Sequence, residues 1–184
     1  ESSLKEVSDL LETQSFGCLH RLQHKGGCYA RNFAAQKARG EIILFFDSDD
    51  ILFPDTISKM MSVMSLTKAD VVTGWVQKLK ISVGQHELSG VYGPIGPFYP
   101  LTILSNTFGG GSALHRKATF LEVGGYEAVD SHVAFQDFNL FQKLQTANKK
   151  IVMIPEALYG YRVNSINSVF HGSTDLMKNR QHAF

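Results

Sequence analysis

Glu-Ile-Ile-Leu-Phe-Phe-Asp-Ser-Asp-Asp, residues 41–50, is the stretch that decides the fold of this 184-residue chain. Five consecutive apolar residues, Ile42 to Phe46, end abruptly at Asp47, Asp49 and Asp50. An unbroken apolar run without polar alternation predicts a strand covered on both faces, as in the parallel sheets of α/β domains. Because ligands of such sheets collect at the carboxyl ends of the strands, we expect the three carboxylates to lie at a binding edge.

The acidic cluster calls for a positive partner, because like charges this close disfavour joint ionisation. A divalent metal ion with oxygen ligands is the simplest candidate. A helix N-cap explains the cluster less well, since Pro54 suits the first position of the next helix and places its cap near Phe53. An EF-hand loop counted from Asp47 fails, because its sixth residue is Leu52 and its twelfth is Ser58. A solvated acidic turn stays open as an alternative.

The composition is that of a globular domain of ordinary size. Hydrophobic residues make up 43% of the chain, charged residues 19%, and the net charge of +1 comes without a basic cluster, so we expect no nucleic-acid partner. No apolar run approaches the ~20 residues of a transmembrane helix, and no signal-peptide pattern is present. Two cysteines, Cys18 and Cys28, are too few for a disulfide framework or a four-ligand zinc site. We expect a cytoplasmic location, free or peripheral at a membrane.

Upstream of the acidic stretch, the pattern predicts two helices with a strand between them. Ser3 and Glu6 form a capping box at the start of the first helix, and residues 18–24 form the strand. The second helix ends at Gly40. It has Arg31 and Asn32 in its first turn and packs through Ala30, Phe33, Ala34 and Ala38.

Downstream, strands and helices alternate, which indicates an α/β sheet. After Pro54 a helix buries a stripe formed by Ile57, Met60, Met61 and Met64. The later predicted elements are a strand from Val71 to Val76, an exposed hairpin from Gln77 to Tyr92, a short helix from Leu101 to Leu104, a strand from Ser112 to His115, a helix from Lys117 to Val123, a helix opened by Asp137, and strands at 151–154 and 159–163.

Histidines give weaker signals than the carboxylates. On a strand, His20 and His24 would lie ~13 Å apart, too far to hold one metal ion. His115 and His132 have no partner at ligand spacing, so a core or surface position is the better interpretation for both. His171 follows the last predicted strand, from which it could fold back toward the acidic cluster.

Two further features have a plain and a functional interpretation. Asp137 in the first turn of a helix is favoured by the helix dipole, whether or not it takes part in chemistry. Gly109 to Gly111 marks either the close approach of a ligand or a flexible turn. Neither feature decides a function alone.

Together the motifs resemble the family 2 glycosyltransferases of the GT-A fold, an α/β three-layer sandwich with a mixed, mostly parallel sheet. Near the amino end, the matching segments are Tyr29-Ala30-Arg31-Asn32, Ala38-Arg39-Gly40-Glu41 and the Asp-x-Asp-Asp signature within 42–50. Downstream, they are Gly110 to Leu114, Arg116, Phe120, Val123-Gly124-Gly125-Tyr126, Gln136-Asp137-Phe138-Asn139-Leu140, Tyr161-Arg162-Val163 and Ser168.

The resemblance implies an inverting transfer of a sugar from a nucleotide diphosphate sugar, with a UDP-sugar as the expected donor. Asp49 would ligate Mg²⁺ or Mn²⁺ bridging the diphosphate, with Asp47 near the ribose or the metal and Asp50 in support. The metal would neutralise charge that develops on the departing diphosphate. Arg31 and Asn32 would border the nucleotide.

On the acceptor side, the resemblance implies that Asp137 is the general base for a hydroxyl of a glycan, a lipid-linked molecule or another acceptor. Gly110, Gly111 and Gln136 would lie beside it. The expected organisation is a single GT-A-like domain over residues 1–184. Residues 1–50 would be the remainder of the nucleotide-binding half, 51–170 the acceptor-side half and 171–184 a tail.

Three departures from the family pattern qualify these roles. The family begins with a strand–helix–strand unit of roughly 30 residues upstream of the position matched by Glu1, so the chain is expected to lack its amino-terminal strands. Gln136 stands where the family usually has Glu. Asn164 stands where many relatives have a histidine that reaches the metal, a place that His171 could fill.

Two rival functions remain open at this stage. A phosphatase of the haloacid dehalogenase type also places Asp-x-Asp after a strand, with Asp47 as nucleophile and Asp49 as acid, but it requires Gly and Thr where this chain has Asp50 and Ile51. A non-catalytic remnant that binds sugars or supports an assembly is the other, since a fold alone does not establish activity.

Overall fold

The structure, a computed structural model, describes residues 17–82, 85–127 and 136–163. Its helices are α1 (Gly27–Lys37), α2 (Thr56–Thr67), α3 (Leu101–Leu104), α4 (Lys117–Glu122) and α5 (Gln136–Thr146). Its strands are β1 (Ile42–Leu44), β2 (Ile51–Leu52), β3 (Val71–Ser82), β4 (Gln85–Tyr92), β5 (Leu114–Arg116) and β6 (Ile151–Arg162). Over these ranges, no helix is both long enough and apolar enough for a membrane crossing.

The strands form one mixed sheet in the order β1-β5-β3-β6-β2, with β4 paired to β3. Central strands β3 and β6 run parallel to each other. The pairs β1–β5, β2–β6, β3–β4 and β3–β5 are antiparallel. The predicted mixed α/β sheet is confirmed, whereas "mostly parallel" is wrong for the described strands, because short returning strands and a hairpin flank the single parallel pair.

Two apolar cores lie on the two faces of this sheet. Successive residues of a strand point to opposite faces, and accordingly Val71 belongs to one core and Val72 to the other. The first core joins the sheet to α1, α4 and α5 through Cys28, Ala35, Phe120, Phe138, Leu140, Phe141 and Leu144. The second joins it to α2 through Met60 and Met64. Helix, sheet and helix therefore form the three predicted layers.

Several predicted elements are wrong in extent. Residues 17–26 form no strand and are almost entirely exposed, since no described strand lies beside them. Helix α1 begins at Gly27, which moves Arg31 and Asn32 beyond its first turn, and it buries Cys28 and Ala35 instead of Ala30 and Ala34. The two predicted carboxyl-terminal strands are one strand, β6, with register shifts in its middle.

Helix α2 also differs from its prediction at its start and on its buried face. Its N-cap is Asp55, so Pro54 lies outside the helix. Met60 and Met64 are each 1% exposed and confirm the methionine core, but Ile57 and Met61 are 49% and 40% exposed. Predicted features at Ser3, Glu6, His132, Asn164, Ser168 and His171 lie outside the described residues.

His115 is a core residue, which is one of the two positions that the sequence left open for it. It is 1% exposed in β5, and its ring lies 5.8 Å from those of Phe45 and Phe120. Its Nδ1 atom has no hydrogen-bond partner. Burial lowers the pKa of His115 from 6.5 to about 3, because the interior disfavours the charged ring.

We predict that His115 makes the fold sensitive to acid. Between pH 6.5 and 3 the unfolded chain binds a proton at this residue that the folded chain excludes, so stability falls as the pH decreases through this window. From pH 7 to pH 5 the loss should be about 2 kcal/mol greater in the natural protein than in His115→Leu, measured by urea unfolding. His20→Leu removes an exposed histidine and is the control. Equal losses in the natural protein and His115→Leu would contradict the prediction.

Candidate active site

The acidic turn lies between two strands at opposite ends of the sheet order. Strand β1 ends at Leu44, two aromatic residues follow, and the chain reverses at Asp47–Asp50 before β2 begins at Ile51. The Asp50 N–H donates a hydrogen bond to the Asp47 carbonyl at 3.1 Å, which closes the turn. Asp47 and Asp49 are exposed and Asp50 is partly buried. The carboxylates thus follow the end of a strand, as the sequence predicted, but β1 pairs antiparallel with β5 and only its Ile43 is buried, so the expected strand covered on both faces is wrong.

Arg31 of α1 is the cation that faces this turn. Its Nη2 atom donates a hydrogen bond to Asp47 Oδ1 at 2.6 Å, and the side chains are 28% and 53% exposed. Burial opposes the charge on Arg31, but the charge and hydrogen bond of Asp47, with smaller contributions from Tyr126 and Asp137, outweigh it and raise the pKa of Arg31. Arg31 therefore remains a cation bonded to the acidic turn.

Asp50 faces the other side of the turn. Its Oδ1 accepts a hydrogen bond from the Arg162 backbone N–H at 3.3 Å, which ties the turn to β6. Burial raises the pKa of Asp50 to about 6; the Arg162 bond opposes this rise, and the charges of Asp49 and Asp47 add to it. The turn therefore carries negative charge that its protein neighbours neutralise only in part.

Asp137 lies in the first turn of α5 and packs against Gly111. A Cβ atom at Gly111 would lie 2.7–2.8 Å from Cγ and the two carboxylate oxygens of Asp137, so only glycine leaves room for this side chain. Burial raises the pKa of Asp137, Arg31 lowers it and Asp47 raises it further. These influences place Asp137 within electrostatic reach of the Arg31–Asp47 pair. The glycine run thus marks a close approach, here by Asp137.

Tyr159 supports the same glycine segment from β6. It is 5% exposed, and a Cβ atom at Gly110 would overlap its Oη. Burial is the main reason that its pKa is raised. No site role was predicted for Tyr159, because it has no charge or motif that distinguishes it from a core residue; Gly110, against which it packs, was the usable signal.

Asn32 is hydrogen-bonded to the backbone of Tyr126 and not to the acidic turn. Its Nδ2 donates to the Tyr126 carbonyl at 2.7 Å, and its Oδ1 accepts from the Tyr126 N–H at 2.9 Å. Gln136, the other predicted amide of the site, is partly buried beside Asp137 in sequence. The structure thus pairs Arg31 with Asp47 of the acidic turn and packs Asp137 against Gly111, whereas His115 is buried in the core and His171 lies outside the described residues.

The acidic turn suits a divalent cation that a ligand helps to hold. Over the described residues, no three His, Cys, Asp or Glu side chains converge on a common metal position. Mg²⁺ is commonly bound by one or two carboxylates together with phosphate oxygens and water, and the exposed oxygens of Asp47 and Asp49 offer such a set. The residues therefore fit an ion shared with a phosphorylated ligand, and not a closed protein cage.

A separate surface groove has a volume of about 400 Å³. Its lining residues are Ser58, Lys59, Ser62, Val63, Ile154 and Glu156, none of which belongs to the acidic turn or to α5. Lys59 in this groove is paired with Asp55 and Glu156. The groove gathers no unpaired reactive groups, so we place the candidate active site at the acidic turn and Asp137.

Structural comparison shows that the fold is the GT-A fold. TarS 1-349 from S. aureus in complex with UDP-GlcNAc aligns with a TM-score of 0.67 and 16% identity, over 92% of this chain and 48% of that chain. GalNAc-T7 with UDP, GalNAc and Mn²⁺ aligns with a TM-score of 0.67 and 17% identity, over 100% of this chain and 39% of that chain. Mannosyltransferase PcManGT from Pyrobaculum calidifontis, in complex with GDP-Man and Mn²⁺, has a TM-score of 0.60 and 15% identity, over 90% and 45% of the two chains.

The sequence itself establishes the family. The family model described as glycosyl transferase family 2 matches residues 2–120, and the chain belongs to that family. No significant match is found among curated proteins. The chain spans less than half the length of the structures with which it aligns. Membership of this family also removes the haloacid dehalogenase alternative.

We predict that the Gly111–Asp137 contact is tight enough to be measured as coupling between the two residues. Gly111→Ala should cost about 1–3 kcal/mol in urea unfolding, because the added methyl group overlaps the Asp137 carboxylate. The cost should largely disappear when Gly111→Ala is combined with Asp137→Ala.

Gly110→Ala is the matched control, since its methyl group would meet Tyr159 and not Asp137. Its cost should be the same with or without Asp137→Ala. An undiminished cost of Gly111→Ala in the Asp137→Ala background would show that the contact does not exist.

Proposed function

We propose that this protein transfers a sugar from a nucleotide diphosphate sugar to an acceptor hydroxyl, with inversion at the anomeric carbon and with a divalent cation. The observation that carries the proposal is the convergence of Asp137 on the Arg31–Asp47 pair. Asp137 is positioned from α5 and Gly111, and the pair from α1 and the end of β1. These contacts support a site in which Asp137 would act as the base and the Arg31–Asp47 pair would lie beside the diphosphate.

Asp137 would accept the proton of the acceptor hydroxyl. The acceptor oxygen forms a bond to the anomeric carbon while the bond from that carbon to the diphosphate oxygen breaks, so one displacement inverts the centre. Burial raises the pKa of Asp137 and so makes it a stronger base than an exposed aspartate. Packing against Gly111 limits the directions in which the carboxylate can turn, which favours a fixed attack geometry.

Asp49 and Asp47 would hold the cation, and Arg31 would add positive charge beside the diphosphate. When bound, Mg²⁺ or Mn²⁺ would neutralise the charge that develops on the leaving diphosphate. Asp50, anchored to the Arg162 backbone, would keep the turn in place. Gly110, Gly111 and Gln136 would border the acceptor. The family resemblance implied a place beside the nucleotide for Asn32.

The ligands of the similar structures support this proposal. TarS is described in complex with UDP-GlcNAc, PcManGT with GDP-Man and Mn²⁺, and GalNAc-T7 with UDP, GalNAc and Mn²⁺. We take a nucleotide sugar as the donor class, with UDP as the first nucleotide to test. A nucleotide-binding part through residue 50 and an acceptor part over 51–170 belong to the same proposal.

We predict that Mn²⁺ with UDP stabilises the full-length protein through Asp49. At ligand concentrations 100-fold above Kd, linkage contributes about 2.7 kcal/mol, which corresponds to a Tm increase of about 5–10 °C for a protein of this size. Asp49→Asn should remove the increase, because it removes a charged oxygen ligand. Differential scanning fluorimetry with Mn²⁺ alone, UDP alone and both together measures it.

Asp55→Asn is the control for that experiment. Asp55 is an exposed carboxylate beside α2, paired with Lys59 at 2.8 Å, and its loss should leave the ligand-induced increase intact. A Tm increase in Asp49→Asn equal to that of the natural protein would exclude Asp49 from the cation site.

We predict that Asp137→Asn lowers kcat for sugar transfer by about 10²–10⁴, because the variant lacks the proton acceptor. The Kd for UDP with Mn²⁺ should stay within about twofold, since Asp137 lies on the acceptor side. A screen of nucleotide sugars and hydroxyl acceptors with the full-length protein provides the assay.

Glu122→Gln, which removes an exposed carboxylate paired with Lys149 at 2.6 Å, should leave transfer unchanged. Undiminished turnover in Asp137→Asn would reject the base assignment. Nucleotide binding by the natural protein without transfer to any acceptor would favour the non-catalytic binding module.

A further inference from the structure

Asn32 connects α1 to the turn that follows α4. Both of its amide atoms bond the same residue, since Nδ2 donates to the Tyr126 carbonyl at 2.7 Å and Oδ1 accepts from the Tyr126 N–H at 2.9 Å. Gly125 has a φ of 63°, and a Cβ atom there would overlap Asn32 Oδ1. The Gly-Gly-Tyr motif therefore forms a turn that lets the Asn32 amide reach the backbone.

Tyr126 in turn contacts Arg31 and Phe45, which lies two residues before Asp47. Its ring is 3% exposed, and Arg31 Cζ lies 5.6 Å from the ring centroid, within the range of a cation–π interaction. The ring also packs edge-to-face on Phe45 at 5.3 Å, two residues before Asp47. Phe120 packs on a further side at 5.7 Å. Tyr126 is thus fixed on several sides and lies against the elements that carry the ion pair.

We infer that Asn32 is a positioning residue of the donor site: it holds the Tyr126 backbone so that the Tyr126 ring orients Arg31 toward Asp47. The inference rests on the proposed function and replaces a direct nucleotide contact for Asn32. Asn32 and Arg31 are adjacent in α1 but bond different segments. Asn32 bonds the turn after α4, and Arg31 bonds the acidic turn. Because Oδ1 and Nδ2 are both bonded to Tyr126, both polar atoms of the Asn32 amide already have partners in the protein.

A double-mutant cycle separates positioning from direct contact. Asn32→Ala, Arg31→Ala and the double variant are prepared in the full-length protein, and the Kd for UDP with Mn²⁺ is measured by calorimetry. If Asn32 acts through Arg31, Asn32→Ala should weaken binding about 10-fold in the natural background and less than about twofold in the Arg31→Ala background. Equal fold losses in the two backgrounds would indicate a direct contact and would overturn the inference.

Amide hydrogen exchange supplies a second measurement that needs no nucleotide. The Tyr126 N–H should exchange markedly faster in Asn32→Ala, because its acceptor is gone. Asn32→Asp, which retains an acceptor oxygen for this N–H but not the donor for the carbonyl, should retain more of the protection. Unchanged exchange at Tyr126 in Asn32→Ala would overturn the inference.

The two measurements distinguish failure of the inference from failure of the proposed function. If the natural protein binds neither UDP nor GDP with Mn²⁺ or Mg²⁺, the proposed function fails, and exchange at Tyr126 still decides whether Asn32 holds the turn. If Asn32→Ala lowers only the fraction of folded protein, the Kd is unchanged in both backgrounds, and Asn32 has a structural role alone.

Discussion

Repulsion among the carboxylates that follow strand β1 is the constraint on which the rest of this site depends. The apolar run that precedes Asp47 belongs to the sheet, so the acidic turn cannot move away from its neighbours without exposing core. Arg31 relieves part of the repulsion at Asp47, and the Arg162 backbone N–H relieves part of it at Asp50. Helix α1 and strand β6 are therefore both bonded to the acidic turn. The packing of both elements thus depends on the charges in this turn.

The glycines of this site allow side chains to approach the backbone closely. Asp137 occupies the space that a side chain at Gly111 would fill, and Tyr159 does the same at Gly110. At both glycines the neighbouring side chain packs against backbone atoms. The backbone has no rotamers, so it cannot move aside as a side chain could. In the proposed reaction, a base held in this way meets its substrate in one orientation, and burial that raises the pKa of Asp137 also strengthens it as a base.

The sequence predicted the parts of this structure that depend on local pattern. The apolar run before Asp47, the hairpin near Tyr92 and the buried Met60–Met64 stripe follow from hydrophobic periodicity, and the structure contains all three. Residues 18–24 show why the rest was not predictable: their pattern resembles a strand, but a strand forms only where a partner lies beside it. The same limit applies to Asn32. Its motif could be recognised in the sequence, but its contact with Tyr126 could not be predicted, because Tyr126 is distant in sequence.

The balance of charge also explains why donor and cation should bind together at such a site. The charges of Asp47 and Asp49 raise the pKa of Asp50, and the charge of Asp47 raises that of Asp137; within the described residues Arg162 lowers the pKa of Asp50 and Arg31 lowers that of Asp137. A diphosphate alone would add negative charge to a cluster that is already under-neutralised, and Arg31 is already bonded to Asp47. A cation alone would find only a few exposed oxygens, too few for a closed cage. In the proposed function, the cation would supply positive charge for the diphosphate, and the diphosphate would supply oxygen ligands for the cation. The two would therefore bind better together than either would alone.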